Sequence, residues 1–449
     1  MGMIDGMDRT RRRHAVLIAL IWVAGSVAGC RDQVPPETVE TEQATELAVA
    51  QRVDHLDGLA REPMIVQHPD GTLFLSGYNM ARPALWKSQD RGASWSRVDI
   101  GAEADGAVGN SDIDLAVGRE GTVYFVTMTF DMAALEGRRI AVAASRDVGE
   151  TWSWTTVSET RFDDRPWVGV APDGTAHVIW NDGSGVAHAV SADRGASWTE
   201  QPRIHDLGGS SHLAVGPEGE LAVRIVPASA SGNRFDAEVD LIAVSTDEGM
   251  TWRKHEPPGE RDWAPMDSIE AGRAMLRWVE PLAWDGEGRL YHLWADSTGL
   301  WLARSRDRGE TWTSWPVSED RYLSFFPYLI ARGRGELAAT WFSGDLDALA
   351  ARREDAYLRW HVAHITTGDD EAPPSVVRSA PLSIDASTPQ VVEGDTLAVP
   401  DTGGEYLGIT FLRDGGVAAA TPIQEFAPGG GMDFSAGRLG FTFWRFEAR

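Results

Sequence analysis

The stretch Ser191-Ala-Asp193-Arg-Gly195-Ala-Ser-Trp198 decides the fold, because it is repeated. The same spacing, Ser-x-Asp-x-Gly-x-x-Trp, returns at Ser88/Asp90/Gly92/Trp95, Ser145/Asp147/Gly149/Trp152, Ser245/Asp247/Gly249/Trp252 and Ser305/Asp307/Gly309/Trp312. Five matches to four fixed positions in one chain are not chance. Ser and Asp side chains accept hydrogen bonds from backbone N–H groups in a tight turn, and Gly supplies the positive φ that such a turn needs. The Trp re-enters a strand and buries a large apolar area. Each copy therefore predicts the clasp of a hairpin.

A second motif alternates with the clasps: an apolar run, a turn glycine, then an alternating strand. Its copies are Pro63-Met-Ile-Val before Asp70-Gly71, Asp114-Leu-Ala-Val before Glu120-Gly121, Trp167-Val-Gly-Val before Asp173-Gly174, and His212-Leu-Ala-Val before Glu218-Gly219. Leu282-Ala-Trp before Glu287-Gly288, Tyr328-Leu-Ile before Arg334-Gly335, and Leu407-Gly-Ile-Thr before Asp414-Gly415 complete seven. Strand-length runs that stop at hairpin glycines and resume with period two are antiparallel strands. Four-stranded units repeated in a ring make a β-propeller, usually of about four to eight blades. The expectation is an all-β chain forming one propeller over residues 46–449, seven-bladed, with six blades as the alternative if one copy is not a blade. The sixth blade lacks a clasp and takes Tyr357 to Thr367 as its third strand. The seventh ends in a third strand, Phe441 to Phe446, so that Glu46 to Val53 supplies its fourth from the other terminus.

The repeated clasp is the Asp box, or bacterial neuraminidase repeat, and the chain resembles the sialidase-like superfamily that carries it. The resemblance implies that the five boxes, at 88–95, 145–152, 191–198, 245–252 and 305–312, lie away from the ligand face.

Ahead of the repeats stand Arg9, Arg11, Arg12 and Arg13, the apolar run Ala15 to Val27, and Ala28-Gly29-Cys30. A basic segment, a short apolar segment and small residues at the boundary form an export signal. Val27-Ala28-Gly29-Cys30 resembles a lipobox, which makes residues 1–29 a lipoprotein signal peptide and Cys30 the lipidated residue. Cys30 is the only cysteine, so it has no disulfide partner within the chain. Polar, acidic residues 30–45 with Pro35-Pro36 read as a flexible tether. The implied place is the cell envelope, lipid-anchored on the periplasmic or outer-surface side of a membrane, as a monomer. A formal net charge of −26 repels phosphate backbones and argues against nucleic acid as a partner.

Aligning the seven turn glycines places one column at the start of each innermost strand: Glu62, Asp112, Arg165, Ser210, Glu280, Phe326 and Tyr406. These positions should crowd the mouth of the central channel, where polar groups are candidates for ligand contact. The connections that emerge on that face are long: Phe130 to Arg138, Ala228 to Glu238, Lys254 to Arg277, Gly344 to Ala356 and Gly368 to Gly404. They carry Trp263, Asp267, Glu270, Arg353 and Glu354. Catalytic sialidases hold a substrate carboxylate with three arginines and use an acid aspartate and a tyrosine nucleophile assisted by glutamate. By resemblance, Arg61 of Arg61-Glu62-Pro63, Glu280 and Tyr406 match three of these positions as catalytic residues, and Glu62, Asp112 and Arg165 are candidate ligand contacts. The chain departs from the pattern elsewhere. After Tyr78-Asn79 it reaches the first box too soon for the acid-bearing loop, and Tyr291-His-Leu-Trp-Ala-Asp296 lacks the expected arginine. The expected function is thus a binding or scaffold module for a glycan or envelope protein, with an exo-acting, sialidase-like glycoside hydrolase, or another hydrolase at the same site, as the alternative. No cofactor and no zinc or haem spacing is expected; the acidic pairs Asp112/Asp114, Asp163/Asp164 and Asp345/Asp347 are candidate Ca²⁺ ligands.

If Cys30 is the lipidated residue, mass spectrometry of the purified N-terminus will show a diacyl or triacyl cysteine, and Cys30→Ser will move the protein to the soluble fraction. An unmodified chain starting elsewhere would exclude the anchor.

Overall fold

The structure, a computed structural model, describes residues 46–79, 81–227, 239–259, 279–296, 298–318, 323–344, 358–382, 403–424 and 438–449. The signal peptide and tether, Cys30, the pair Asp345/Asp347 and the loop residues Trp263, Asp267, Glu270, Arg353 and Glu354 lie outside these residues.

Seven four-stranded antiparallel sheets form seven blades. Blade one shows the order: Arg61–Gln67 innermost, then Leu73–Tyr78, Pro83–Ser88 and Ser96–Arg97 outward. The other innermost strands are Ser111–Val117, Asp163–Val170, Gly209–Val215, Leu282–Trp284, Leu323–Arg332 and Ile409–Phe411. Blade seven takes its outermost strand, Leu47–His55, from the other end of the chain, paired antiparallel with Leu439–Ala448 from Leu47↔Ala448 to His55↔Phe441. The third strand of blade six runs Leu358–Thr366. Six blades is therefore excluded: all seven turn-glycine motifs head a sheet.

Apolar faces pack blade against blade. At the seam between blades seven and one, Trp86, Trp95, Phe441 and Phe443 are buried together, with the Trp86 and Phe441 rings 5.2 Å apart. The clasps work at the same seams. In each, the Ser hydroxyl accepts the Gly N–H and donates to the Asp carboxylate, as in Gly195 N to Ser191 Oγ at 2.8 Å and Ser191 Oγ to Asp193 Oδ1 at 2.8 Å. Asp193 also takes the Ser197 N–H (2.9 Å) and hydroxyl (2.6 Å). A hydroxyl residue just before the Trp thus belongs to the motif: Ser94, Thr151, Thr251 and Thr311 make the same bonds. The clasp glycine is needed twice over, for its positive φ and because a Cβ would strike the preceding blade. At Gly92 that atom would lie 2.1 Å from Phe443.

Blade six has no clasp, and blade five holds its turn instead. Arg304 Nη2 donates to Asp370 O (2.6 Å), Trp315 Nε1 to Glu371 O (3.0 Å), and Tyr291 Oη meets Thr367 Oγ1 at 2.8 Å.

Ser191 is buried, so Ser191→Ala leaves the Gly195 N–H without its acceptor and costs about 1–3 kcal/mol, to be read from the urea midpoint. The Ser197 hydroxyl, ahead of its backbone N–H, holds Asp193 down to about 2. A depressed carboxylate stabilises above its unfolded pKa, so the clasp contribution is complete above roughly pH 4 and is lost as the pH falls toward 2.

Candidate functional site

Because each innermost strand starts on one face and its clasp closes the other, the column predicted from the glycines lies opposite the clasps. Its backbone is irregular. Arg61 pairs with Tyr78 and Met64 with Ser76, so Glu62 and Pro63 together oppose one residue; Arg165-Pro166 and Phe326-Pro327 repeat this. A proline in the bulge withholds no ladder donor, having no N–H. Glu62, Arg165 and Phe326 adopt φ of 47°, 49° and 49°, a left-handed conformation that costs a non-glycine residue about 1–3 kcal/mol and concentrates at functional sites.

These bulges bring together Arg61 and Glu62 from blade one, Asp112 from blade two, Asp164 and Arg165 from blade three, and Glu405 and Tyr406 from blade seven. Arg165 Nη2 meets Glu405 Oε2 at 2.6 Å, and Arg61 Nη1 donates to Gln424 Oε1 at 3.1 Å. Glu62 Oε1 accepts the Glu405 N–H at 3.2 Å, while the Glu62 N–H goes to Gly403 O at 2.8 Å. Gly404 permits this wrap, since a Cβ there would stand 2.0 Å from Glu62 Cγ. Glu62 and Arg165 are buried, whereas Asp112, Asp164, Glu405 and Arg61 are half-buried and reach solvent.

Four carboxyls facing two guanidinium groups do not all ionise. Burial, then Asp112 and Glu405, push Glu62 well above the usual carboxylate range. Burial, then Asp112, push Asp164 up to about 8 against the pull of Arg165. Glu405 is raised by burial, with Arg165 opposing. For Arg165, burial opposes its charge, but Glu405, Asp164 and Asp112 outweigh it and keep the guanidinium protonated.

Beneath the mouth an aromatic layer fills the channel. Trp167 lies 5.1 Å from Tyr406 and 5.0 Å from His212, and Tyr328 lies 5.4 Å from His212. Tyr406 donates to Ile113 O at 3.0 Å; burial, then Glu62 and Asp112, push its hydroxyl well above the ordinary phenol value. Burial lowers the His212 imidazole to about 3.

Glu280 has a different neighbourhood. Its Oε2 accepts Arg224 Nε at 2.9 Å and Nη2 at 2.7 Å, and His292 Nε2 stands 3.7 Å away. Ser210 is structural: its hydroxyl donates to Arg165 O at 3.0 Å, and its N–H donates to Asn181 Oδ1 at 2.7 Å. Phe326 packs in the core. Among the described residues no group of three or more His, Cys, Asp or Glu is placed to hold a metal ion. The acidic pairs are divided between other tasks: Asp114 takes the Val168 and Leu115 N–H groups, and Asp163 takes the Ser158 and Thr160 hydroxyls.

Asp164 as a mouth residue, Glu405 and Arg224 escaped the sequence analysis. The first two stand directly before column residues, and period-two alternation assigns them to the opposite face; a bulge turns the strand at Asp164, whereas Glu405 precedes the innermost strand Ile409–Phe411 and is free of its alternation. The Glu-Pro, Arg-Pro and Phe-Pro dipeptides were the available signal for those bulges.

No protein-family profile matches the chain, and no curated protein matches it. Solved structures do. A fungal alcohol oxidase in complex with copper is 10% identical with a TM-score of 0.53, covering 90% of this chain and 76% of that one. Selenomethionine-substituted virginiamycin B lyase from Staphylococcus aureus is 12% identical with a TM-score of 0.50, covering 89% and 99%. A Hadza microbial sialidase is 16% identical with a TM-score of 0.43, covering 63% of each. At these identities the likeness to the first two is one of fold alone.

Asp164 titrates near 4 when unfolded and about 8 when folded, so between these values the folded state binds more protons and stability falls as pH rises. Asp164→Asn keeps an acceptor for the Arg165 N–H. Its gain in Tm over the wild type should be small near pH 4 and grow toward pH 8. A difference independent of pH would contradict the assignment.

Proposed function

We propose that this chain is a binding propeller of the cell envelope, anchored through a lipid on Cys30, that holds a glycan or an envelope protein at the channel mouth. The observation that carries the proposal is the convergence there of Glu62, Asp112, Asp164, Arg165 and Glu405 from four blades, on strained backbone and above a filled channel. Burying unlike charges on strained backbone opposes folding, and proteins concentrate such features where a ligand is met.

The same geometry weighs against the sialidase roles implied by resemblance. A tyrosine nucleophile requires activation, whereas the Tyr406 hydroxyl is raised and donates to a backbone carbonyl. Glu280 faces Arg224 instead of that hydroxyl. One observation favours hydrolysis at the mouth: Asp164 keeps its proton to about pH 8, as a general acid does.

Aryl glycosides including a sialoside, assayed beside Asp164→Asn, Glu280→Gln and Tyr406→Phe, separate the two functions. Binding to glycans or envelope proteins without turnover, weakened by Asp164→Asn, is the expected result. Turnover lost on Asp164→Asn would establish the hydrolase, and binding indifferent to every mouth substitution would remove the mouth from the function.

A further inference from the structure

We propose that the mouth receives a primary ammonium group on a slender alkyl stem, the side chain of a lysine in a partner protein; this rests on the mouth being the binding site. Glu62 carries the inference. Its side chain is buried at 4% exposure, one oxygen accepts the Glu405 N–H, and Oε2 has no hydrogen-bond partner among the described residues. A buried carboxyl oxygen left unmatched is costly, and a charged donor is the strongest available complement.

The surroundings select the donor. Glu62, Asp112 and Asp164 come from three adjacent blades, and the Asp112 carboxylate raises the proton affinity of both Glu62 and Asp164. Among the described residues they form no metal-binding group, and an ammonium, with three donors and no acceptor, complements carboxyl oxygens contributed from separate strands. The four carboxyls of Glu62, Asp112, Asp164 and Glu405 outnumber the two guanidinium groups of Arg61 and Arg165, which leaves the mouth with an acidic excess. Burial selects the stem: Glu62 is buried while Asp112, Asp164 and Glu405 are half-buried, so an amine that reaches Glu62 must leave solvent more fully than one that meets the other three. A lysine's unbranched methylenes allow this, whereas an amine fixed to a sugar ring meets the rim first.

Binding a cation beside these carboxyls lowers their proton affinity. Asp164, protonated to about pH 8, and Glu62 would then release protons on binding, and affinity would rise from pH 5 to pH 8.

The test is calorimetric titration of the lipid-free mature chain with Nα-acetyl-lysine amide, its Nε-acetylated form and D-glucosamine, in buffers of different ionisation enthalpy. Lysine amide should bind with proton release, about ten-fold or more tighter than the Nε-acetylated form. Glu62→Gln and Asp112→Asn should each weaken it about ten-fold; the half-buried Asp112 provides the readout if Glu62→Gln does not fold. Equal affinity for both lysine forms, still weakened by Asp112→Asn, would overturn the ammonium while leaving the mouth as the site. Stronger binding of glucosamine than of lysine would overturn the lysine stem. Binding unaffected by Asp112→Asn would overturn both this inference and the mouth itself, and no binding of any probe would overturn the ammonium.

Discussion

Everything at the mouth depends on the closing of the ring. Leu47–His55 pairs with Leu439–Ala448, and only this makes blade seven a full sheet whose seam with blade one is filled by Trp86, Trp95, Phe441 and Phe443. Without closure, Glu62 would not meet Gly403 and Glu405, which lie more than three hundred residues later in the chain. Arg165 would likewise lose Glu405. Local blade hydrogen bonding can form early, but these contacts carry the entropy of closing the whole loop and are supported by the apolar seam that forms with them.

The two faces follow opposite rules. On the clasp face the same few atoms repeat from blade to blade: a serine hydroxyl, an aspartate with two donors, a positive-φ glycine pressed on the preceding blade. Repetition there serves stability, since identical seams need identical parts. Where blade six lacks the clasp, Arg304, Trp315 and Tyr291 of blade five take over the turn, so the task persists although its residues change. On the mouth face equivalent positions hold Glu, Asp, Arg, Ser, Phe and Tyr, and three of them sit on strained backbone. Such variety cannot come from the demands of the seam. It is what the proposed function would require of a ligand surface carried on a rigid scaffold.

Seam contacts around the channel connect the faces. Asp114 reaches the Val168 N–H, Asn181 the Ser210 N–H, and Ser211 the Glu280 N–H at 2.7 Å, each tying one innermost strand or its neighbour to the next blade. The aromatic layer of Trp167, His212, Tyr328 and Tyr406 joins innermost strands of several blades beside them.

The sequence by itself determined the blades, the clasps, the closing strand from Glu46 onward and the column of mouth residues, because each rests on a local pattern of turn chemistry, period-two alternation and fixed spacing; it favoured seven blades, and the structure excluded six. It named Glu62, Asp112, Arg165 and Tyr406 as neighbours, since equivalent places in a ring must converge. Only the tertiary structure decided that Asp164 and Glu405 join them, that Glu280 answers to Arg224, and that the channel below is filled with aromatic rings. Those outcomes depend on bulges that rotate side chains out of alternation and on partners brought from other strands and blades. A linear pattern encodes which way a strand starts, but which charges meet, and which of them keep their protons, is settled by distance and burial in the closed ring.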